Sequence, residues 1–271
     1  MKRLVEEAVV RFQEPVAPRL IYSLRLRSPA IAAAVRPGQF VHIRVSSGFD
    51  PLLRRPISIH SVAGEEIELI YRVVGRGTEI LAGLRPGAVL DLLGPIGRGF
   101  DLEPDKTPLM IGGGLGVPPI HYLAQDLATR GGSGLVLLGF RGLDDAYAVE
   151  ELEALPGLEV KTATEDGSLG HKGLLTELLP SGPELDNRAV YACGPTPMLA
   201  AVAAWAEENG LPCQVSLEER MGCGLGACLG CTVPVLIDDD SDNPIKYRRV
   251  CTDGPVFPAS TINWKELTGG L

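Results

Sequence analysis

The chain is 271 residues long, which at about 150 residues per domain favours two domains with room for a small appendage. Its 34 acidic residues against 25 basic ones give a net charge of −9, so no electrostatic footprint favours the phosphate backbone of a nucleic acid. Apolar content of 45% with 22% charged residues describes a globular protein and, with 33 Gly and 22 Pro, disfavours disorder and coiled coil, and no apolar run approaches the ~20 residues that a bilayer helix needs. The first ten residues, MKRLVEEAVV, carry acids where a signal peptide needs an apolar stretch, so the expectation is a soluble, cytoplasmic protein with no membrane partner.

Three textures follow one another. Up to residue 101 the chain reads as short strands and turns: RLIYSLRLR, QFVHIRV, ISIH, IELIYRVV and AVLDLL. Alternation is visible in Leu20, Tyr22, Leu24 and Leu26 and again in Ile67, Leu69, Tyr71 and Val73, which predicts an antiparallel barrel. Arg36-Pro37-Gly38 and Arg85-Pro86-Gly87 repeat one turn signal, with Pro fixing φ at the first central position and Gly supplying positive φ at the second.

From Thr107 the apolar runs LMI, LVLLGF, VKTAT and AVYAC alternate with helical patterns, which is the order of a parallel α/β sheet. After Pro118-Pro119, Ile120, Leu123, Ala124 and Leu127 make a helical stripe, and Met198, Val202, Trp205 and Ala206 make another; both are read as packing faces. Ile111-Gly112-Gly113-Gly114-Leu115-Gly116-Val117 leaves a strand and opens a helix, the setting in which backbone N–H groups cradle a pyrophosphate. A second loop, Cys193-Gly194-Pro195-Thr196-Pro197-Met198, ends a later strand, and open α/β sheets bind ligands at the carboxyl ends of their strands. Cys193 is a candidate lining residue for a nicotinamide pocket, and Arg141 stands at a strand end where an adenosine 2′-phosphate could meet it.

From residue 212 the apolar pattern thins, and so few core-forming side chains need a staple. Cys223, Cys228 and Cys231 have the spacing C-x4-C-x2-C, with Cys251 as a distant fourth, which is the plant-type [2Fe-2S] pattern. Glycines at 222, 224, 226 and 230 let the backbone wrap closely and aim N–H groups at sulfur. Structural zinc is the competing reading, but four-cysteine zinc sites usually use two C-x2-C knuckles, and one stands here. Cys213 is read as core. The acidic stretch Asp238 to Asp242 is read as a solvated hairpin tip.

Arg55-Pro56-Ile57-Ser58, Ile70-Tyr71-Arg72 and Gly75-Arg76-Gly77-Thr78 place cations and hydroxyls within two dozen residues, a set suited to a pyrophosphate. With GGGLGVPPI, CGPTPM, SLEERMGCGLGACLGC and VCTDGPVF in that order, nearly the whole chain resembles the ferredoxin-reductase superfamily. Within it, the likeness is to the iron-sulfur flavoprotein electron-transfer subunits of NAD-linked (class IB) dihydroorotate dehydrogenases.

The resemblance implies a fold of β plus α/β class in three segments. These are an FAD-binding antiparallel β-barrel (1–101), a parallel-sheet NAD-binding α/β domain (102–211) and a small C-terminal [2Fe-2S] domain (212–271). It implies FAD along Arg55, Pro56, Ile57, Ser58, Ile70, Tyr71, Arg72, Gly77 and Thr78. NAD falls on Gly112, Gly113, Gly114, Leu115, Gly116, Cys193, Gly194 and Pro195, and the cluster on Cys223, Cys228, Cys231 and Cys251. Two departures are visible: Ile57 stands where many reductases carry an aromatic, and 19 residues separate Cys231 from Cys251.

The implied activity passes electrons from the FMN of a separate catalytic subunit, in a heterotetramer of two copies of each, through the cluster and FAD to NAD+ in pyrimidine biosynthesis. The chain shows no dihydroorotate site, so it is not expected to oxidise dihydroorotate alone. The same cofactors also suit a subunit of a sulfide dehydrogenase, a ferredoxin:NADP oxidoreductase or a hydrogenase. A zinc-stapled regulatory module is the reading from a different class.

Overall fold

The computed structural model of the chain describes residues 4–236 and 245–269. The acidic stretch at 238 to 242 lies outside the described residues. Strands β1 (Leu4–Ala17), β2 (Ile21–Arg27), β3 (Phe40–Arg44), β4 (Arg55–Ala63), β5 (Glu66–Arg72) and β6 (Val89–Ile96) close an antiparallel barrel in the order β1-β2-β5-β4-β3-β6. Two short helices, α1 (Pro29–Ala32) and α2 (Arg76–Ala82), decorate it. The alternation seen in the sequence becomes cross-strand pairing: Leu24 faces Leu69 and Leu26 faces Ile67, all fully buried. Residues of the other parity, Ile21 and Ile70, are buried as well, because the outer face of β2 and β5 packs into the core of the next domain. Both Pro-Gly turns form as expected, with Gly38 at φ 88° and Gly87 at φ 92°.

β1 is not anticipated by the sequence reading. Charged residues interrupt its pattern, yet Ala8 and Val10 point inward and the strand closes the barrel against β2 and β6. Glu6 explains one of those charges: its carboxylate accepts from the backbone N–H of Ala30 (3.1 Å) and Ile31 (3.0 Å), satisfying the free amides that open α1.

The second unit contains β7 (Thr107–Gly113), α3 (Val117–Thr129), β8 (Gly134–Phe140), α4 (Val149–Glu153), β9 (Leu158–Thr164), β10 (His171–Lys172), β11 (Arg188–Cys193) and α5 (Thr196–Glu208). The sheet order is β10-β9-β8-β7-β11, all parallel, as the alternating runs predicted. The α3 stripe Ile120, Leu123, Ala124 and Leu127 is buried, and Tyr122 on α3 donates to the Val35 carbonyl (3.1 Å), tying this helix to the barrel. On α5, Val202 and Ala206 are buried and Met198 and Trp205 pack beside them.

The C-terminal part adds β12 (Cys213–Ser216), β13 (Thr232–Leu236), β14 (Ile245–Arg249), β15 (Val256–Pro258) and α6 (Trp264–Leu267). β12 pairs parallel with β11, and β15 pairs antiparallel with β12, so both extend the seven-stranded sheet. β13 and β14 form a separate hairpin. Cys231, Val233, Val235, Val250 and Cys251 share one hydrophobic core with Leu109, Val190 and Leu199, which relieves this short segment of having to build a core alone. Among the described residues no helix is long and apolar enough to cross a membrane.

Candidate functional site

Nine residues expected along the flavin, Arg55, Pro56, Ile57, Ser58, Ile70, Tyr71, Arg72, Gly77 and Thr78, line one cavity of ≈ 430 Å³ on the barrel. They meet because the start of β4, the end of β5 and the first turn of α2 converge at one end of the closed sheet. The Arg55 guanidinium lies on Gly77, where a Cβ would come within 2.0 Å of Nε, so glycine is needed to bring this charge against the turn. Thr78 is mostly spent on the turn itself: its Oγ1 accepts from the N–H of Val74 (2.9 Å) and Gly75 (3.2 Å) and donates to the Gly75 carbonyl (2.8 Å). The Tyr71 ring belongs to the barrel core, and its hydroxyl accepts from Gln13 Nε2 (2.8 Å); burial pushes its pKa well above the usual phenol value. Arg72 reaches out of the barrel to Asp145, with Nη2 2.6 Å from Oδ1.

A second cavity, of ≈ 680 Å³, opens at the carboxyl ends of the parallel strands, lined by Gly113, Gly114, Leu115, Gly116, Gly194 and Pro195 among others. Strands β7 and β11 are neighbours, with Cys193 opposite Gly112, so the two loops predicted separately meet here. They meet closely: a Cβ on Gly116 would stand 2.3 Å from the backbone C and O of Cys193, and one on Gly113 2.5 Å from Met198 Sδ. Tyr147 donates to the Gly114 carbonyl (2.8 Å) and fixes the loop from below. Gly112 and Cys193 do not line this cavity; both are buried beneath it, and burial together with Glu218 drives the Cys193 thiol well above its ordinary pKa. Arg141 lines the cavity, and so does Glu165.

The two cavities share four lining residues: Arg72, Leu115, Leu217 and Glu218. A larger cavity of ≈ 1700 Å³ opens beside the amino ends of β11 and β12, and none of the expected site residues lines it. Glu218 lines both cavities and is not among the site residues expected from the sequence. Its signal was position, two residues beyond the carboxyl end of β12. It is accessible through the cleft, yet the surrounding protein holds its carboxyl above the usual carboxylate range.

From Glu218 the chain runs along the barrel cavity, where Met221 forms part of the wall, and into the cysteine loop. Gly224 (φ 66°) and Gly226 (φ 84°) allow the wrap, and Leu229 adopts the same left-handed region at φ 59°. The Cys223 Sγ accepts from the N–H of Leu225 (3.3 Å) and Cys228 (3.5 Å), and these backbone donors lower its pKa to about 6. The thiols bear on one another: Cys223 interacts with Cys228, and Cys251 interacts chiefly with Cys231 and less strongly with Cys223. Strand pairing brings Cys231 and Cys251 together: Thr232 opposes Arg249, and the Val250 N–H donates to the Cys231 carbonyl (2.8 Å), so the described residues of the Cys231-to-Cys251 interval are taken up by the paired strands β13 and β14 and the turn after them. Burial and the adjacent Cys231 raise the Cys251 thiol to about 11. A single tetrahedral ion draws four sulfurs to one point, whereas a binuclear cluster takes two on each iron. Four neighbouring thiols in C-x4-C-x2-C spacing, with backbone N–H groups on the Cys223 sulfur, fit the binuclear cluster.

Residues 110–204 match the family described as an oxidoreductase NAD-binding domain, and residues 218–263 match the iron-sulfur cluster binding domain of dihydroorotate dehydrogenase B. The chain is 42% identical over 246 residues to the electron transfer subunit of dihydroorotate dehydrogenase B (NAD(+)) of Shouchella clausii strain KSM-K16, covering 89% of this chain and 92% of that protein. The corresponding subunit of Lysinibacillus sphaericus strain C3-41 is 46% identical, covering 83% and 86%. Among solved structures, one described as an NADH-dependent reduced ferredoxin-NADP oxidoreductase, studied for flavin-based electron bifurcation, aligns with a TM-score of 0.80 at 29% identity. That alignment covers 97% of this chain and 92% of the other.

Proposed function

The chain belongs to the family of electron-transfer subunits of NAD(+)-linked dihydroorotate dehydrogenase B, and from that membership we propose how its residues divide the work. It is an oxidoreductase subunit that uses FAD, a [2Fe-2S] cluster and NAD, and it works with a catalytic partner subunit. In the proposed division, Arg55 to Ser58, Ile70 to Arg72, Gly77 and Thr78 hold FAD, with Arg55 supplying positive charge to the pyrophosphate. Gly113 to Gly116, Gly194 and Pro195 hold NAD, while Gly112 and Cys193 support those loops from beneath. Cys223, Cys228, Cys231 and Cys251 hold the cluster. The boundaries 1–101, 102–211 and 212–271 follow this division, with β12 and β15 of the third unit lent to the sheet of the second.

When bound, the flavin exchanges hydride with nicotinamide and single electrons with the cluster, two currencies that nothing else in the set interconverts. The residues make that exchange local. Arg72, Leu115, Leu217 and Glu218 form a wall common to both cavities, and Met221 links the barrel cavity to the cysteine loop. This continuity is the observation that carries the proposal.

The partner is proposed to carry FMN, to oxidise dihydroorotate in pyrimidine biosynthesis and to assemble as two copies of each chain in the cytoplasm. Leu225 (47% exposed) and Leu229 (61% exposed) on the cysteine loop support a docking surface near the cluster. The test is reconstitution. The purified chain with FAD and cluster should oxidise NADH with an artificial one-electron acceptor but leave dihydroorotate untouched, and adding the partner should produce NADH from dihydroorotate. Dihydroorotate turnover by the chain alone would overturn the reading.

A further inference from the structure

His42 stands on β3 with its side chain fully enclosed; neither ring nitrogen makes a hydrogen bond of ordinary geometry among the described residues, and the Arg54 backbone bears on the ring. Burial, reinforced by the charges of Arg54 and Arg55, lowers its pKa to about 4, so the imidazole is neutral near pH 7. A neutral ring carries one N–H donor and one acceptor, and leaving either unmet inside a protein is costly.

The ring edge lies on the cysteine loop. A Cβ on Gly224 would stand 2.6 Å from His42 Nδ1 and 3.1 Å from Cε1, so the backbone one residue past Cys223 rests against the imidazole. Across the sheet, His42 is in register with Pro56 on β4, a residue of the flavin cavity wall. The Arg54 guanidinium, paired with Asp91 at 2.8 Å, donates to the His42 carbonyl at 3.3 Å and fixes the strand there. His42 therefore occupies the partition between the cysteine loop and the flavin strand. The same loop already turns backbone N–H groups onto Cys223 Sγ. A side-chain N–H at this spot adds a donor from β3 to the backbone donors of the loop.

We propose that His42 is a positioning residue for electron transfer, whose ring N–H is directed at the sulfur-rich surroundings of the cluster and raises the cluster's reduction potential. The physical reason is charge. Reduction adds a negative charge to the cluster, and a donor to its sulfurs stabilises the more negative form, which is one of the levers a protein holds over such potentials. The inference rests on the assignment of the cluster to the four cysteines.

Two measurements test it on the holoprotein. The first needs no variant: with nitrogen-15 histidine incorporated, pulsed EPR of the dithionite-reduced cluster should show a weak nitrogen-15 coupling, and H42N prepared the same way should lack it. The other histidines do not confuse this signal, because His60 and His121 lie at the seam with α3 and His171 lies on β10. The second is a redox titration followed by EPR, with flavin absorbance as the internal control. H42L should retain iron and acid-labile sulfide, keep the flavin potential, and need a tenfold higher reductant-to-oxidant ratio for half-reduction of the cluster, about 59 mV for a one-electron couple. H42N, which retains an N–H donor, should recover part of that shift. A reduced wild-type cluster without histidine coupling, or an H42L cluster at the wild-type potential, overturns the proposal. If the histidine variants lose the cluster, the labelled wild-type protein alone decides. A wild-type protein with neither iron nor sulfide overturns the cysteine assignment itself, a result separable from the others.

Discussion

His60 and His121 stack across the seam between β4 and α3, with ring centroids 3.8 Å apart and planes 23° from parallel. Each Nε2 lies 3.4 Å from Glu151 Oε2 on α4, and His121 Nδ1 lies 3.0 Å from the His60 carbonyl. A carbonyl only accepts, so Nδ1 of His121 carries a proton. The trio joins the barrel strand that begins with the flavin motif to the helix that follows the glycine loop.

This pair predicts an acid-sensitive seam. Burial, and the neighbouring His121, lower the pKa of His60 to about 4, so folding holds it neutral where the unfolded chain, at about 6.5, is already taking up a proton. Between those values the unfolded state binds more protons, and stability falls as pH falls, by at most about 3 kcal/mol. The imidazole hydrogen bonds hold Glu151 well below the usual carboxylate range, so its contribution stays in place throughout that window. Thermal unfolding from about pH 7 to about pH 5 should show a steeper loss in wild type than in His60→Gln. Equal slopes would mean that His60 is not the group responsible.

The Arg72 to Asp145 pair makes a second prediction at the same seam. Asp145 is 4% exposed and Arg72 Nη2 sits 2.6 Å from it, with Arg19 farther away at 3.5 Å. Removing Arg72 leaves a buried carboxylate with one distant, exposed cation, and breaking such pairs costs about 3 kcal/mol or more. Arg72→Ala should lower the unfolding midpoint and weaken FAD retention together, since the same side chain lines the flavin cavity. The double variant Arg72→Ala with Asp145→Asn should recover the midpoint while FAD retention stays weak. Recovery of both would assign Arg72 to the seam alone.

Cys251 and Cys213 separate cluster chemistry from packing. Cys251 is fully buried beside Cys231, while Cys213 begins β12, packs against the core and is pushed up to about 12 by burial. If the proposed ligand set holds, Cys251→Ser removes one of its four thiolates and should cost most of the bound iron and its visible absorbance. Cys213→Ser should retain both. Elemental analysis of the two proteins, prepared anaerobically, distinguishes the outcomes, and full iron in Cys251→Ser would remove it from the ligand set.

The sequence disclosed what local chemistry enforces. Alternation at Leu24, Leu26, Ile67 and Leu69 announced the barrel because a period of two puts those side chains on one face, and C-x4-C-x2-C announced the cluster because few backbones bring three thiolates together. β1 stayed hidden because Glu6 is there to receive amides of α1, a contact 24 and 25 residues away that no window reveals. Arg72 read as a phosphate ligand, and its tie to Asp145 depends on how the two domains lie against each other. Cys193 read as a pocket wall, but its strand register carries it beneath the loop. The C-terminal segment looked short of a core because the residues that complete it belong to β7, β11 and α5.

Glu218 is the remaining group whose chemistry was invisible in the sequence, and it makes the most specific prediction about turnover. Glu218 lines both cavities, where the proposed nicotinamide and flavin sites adjoin, and the surrounding protein holds its carboxyl above the usual carboxylate range. Hydride arriving from NADH changes the charge of the flavin ring, and a carboxyl that still carries its proton compensates that charge where a carboxylate opposes it. Flavin reduction by NADH should therefore slow as pH rises through the Glu218 titration, with the break lying above the ordinary carboxylate value of about 4.3. Glu218→Gln keeps a neutral hydrogen-bonding amide of similar size, so FAD and iron content should hold while the break disappears. Its reduction rate should fall by about tenfold to a hundredfold, within or below what positioned acid groups usually contribute. Stopped-flow bleaching of the flavin across the pH range reads both effects, and an unchanged pH break in Glu218→Gln would place the titrating group elsewhere.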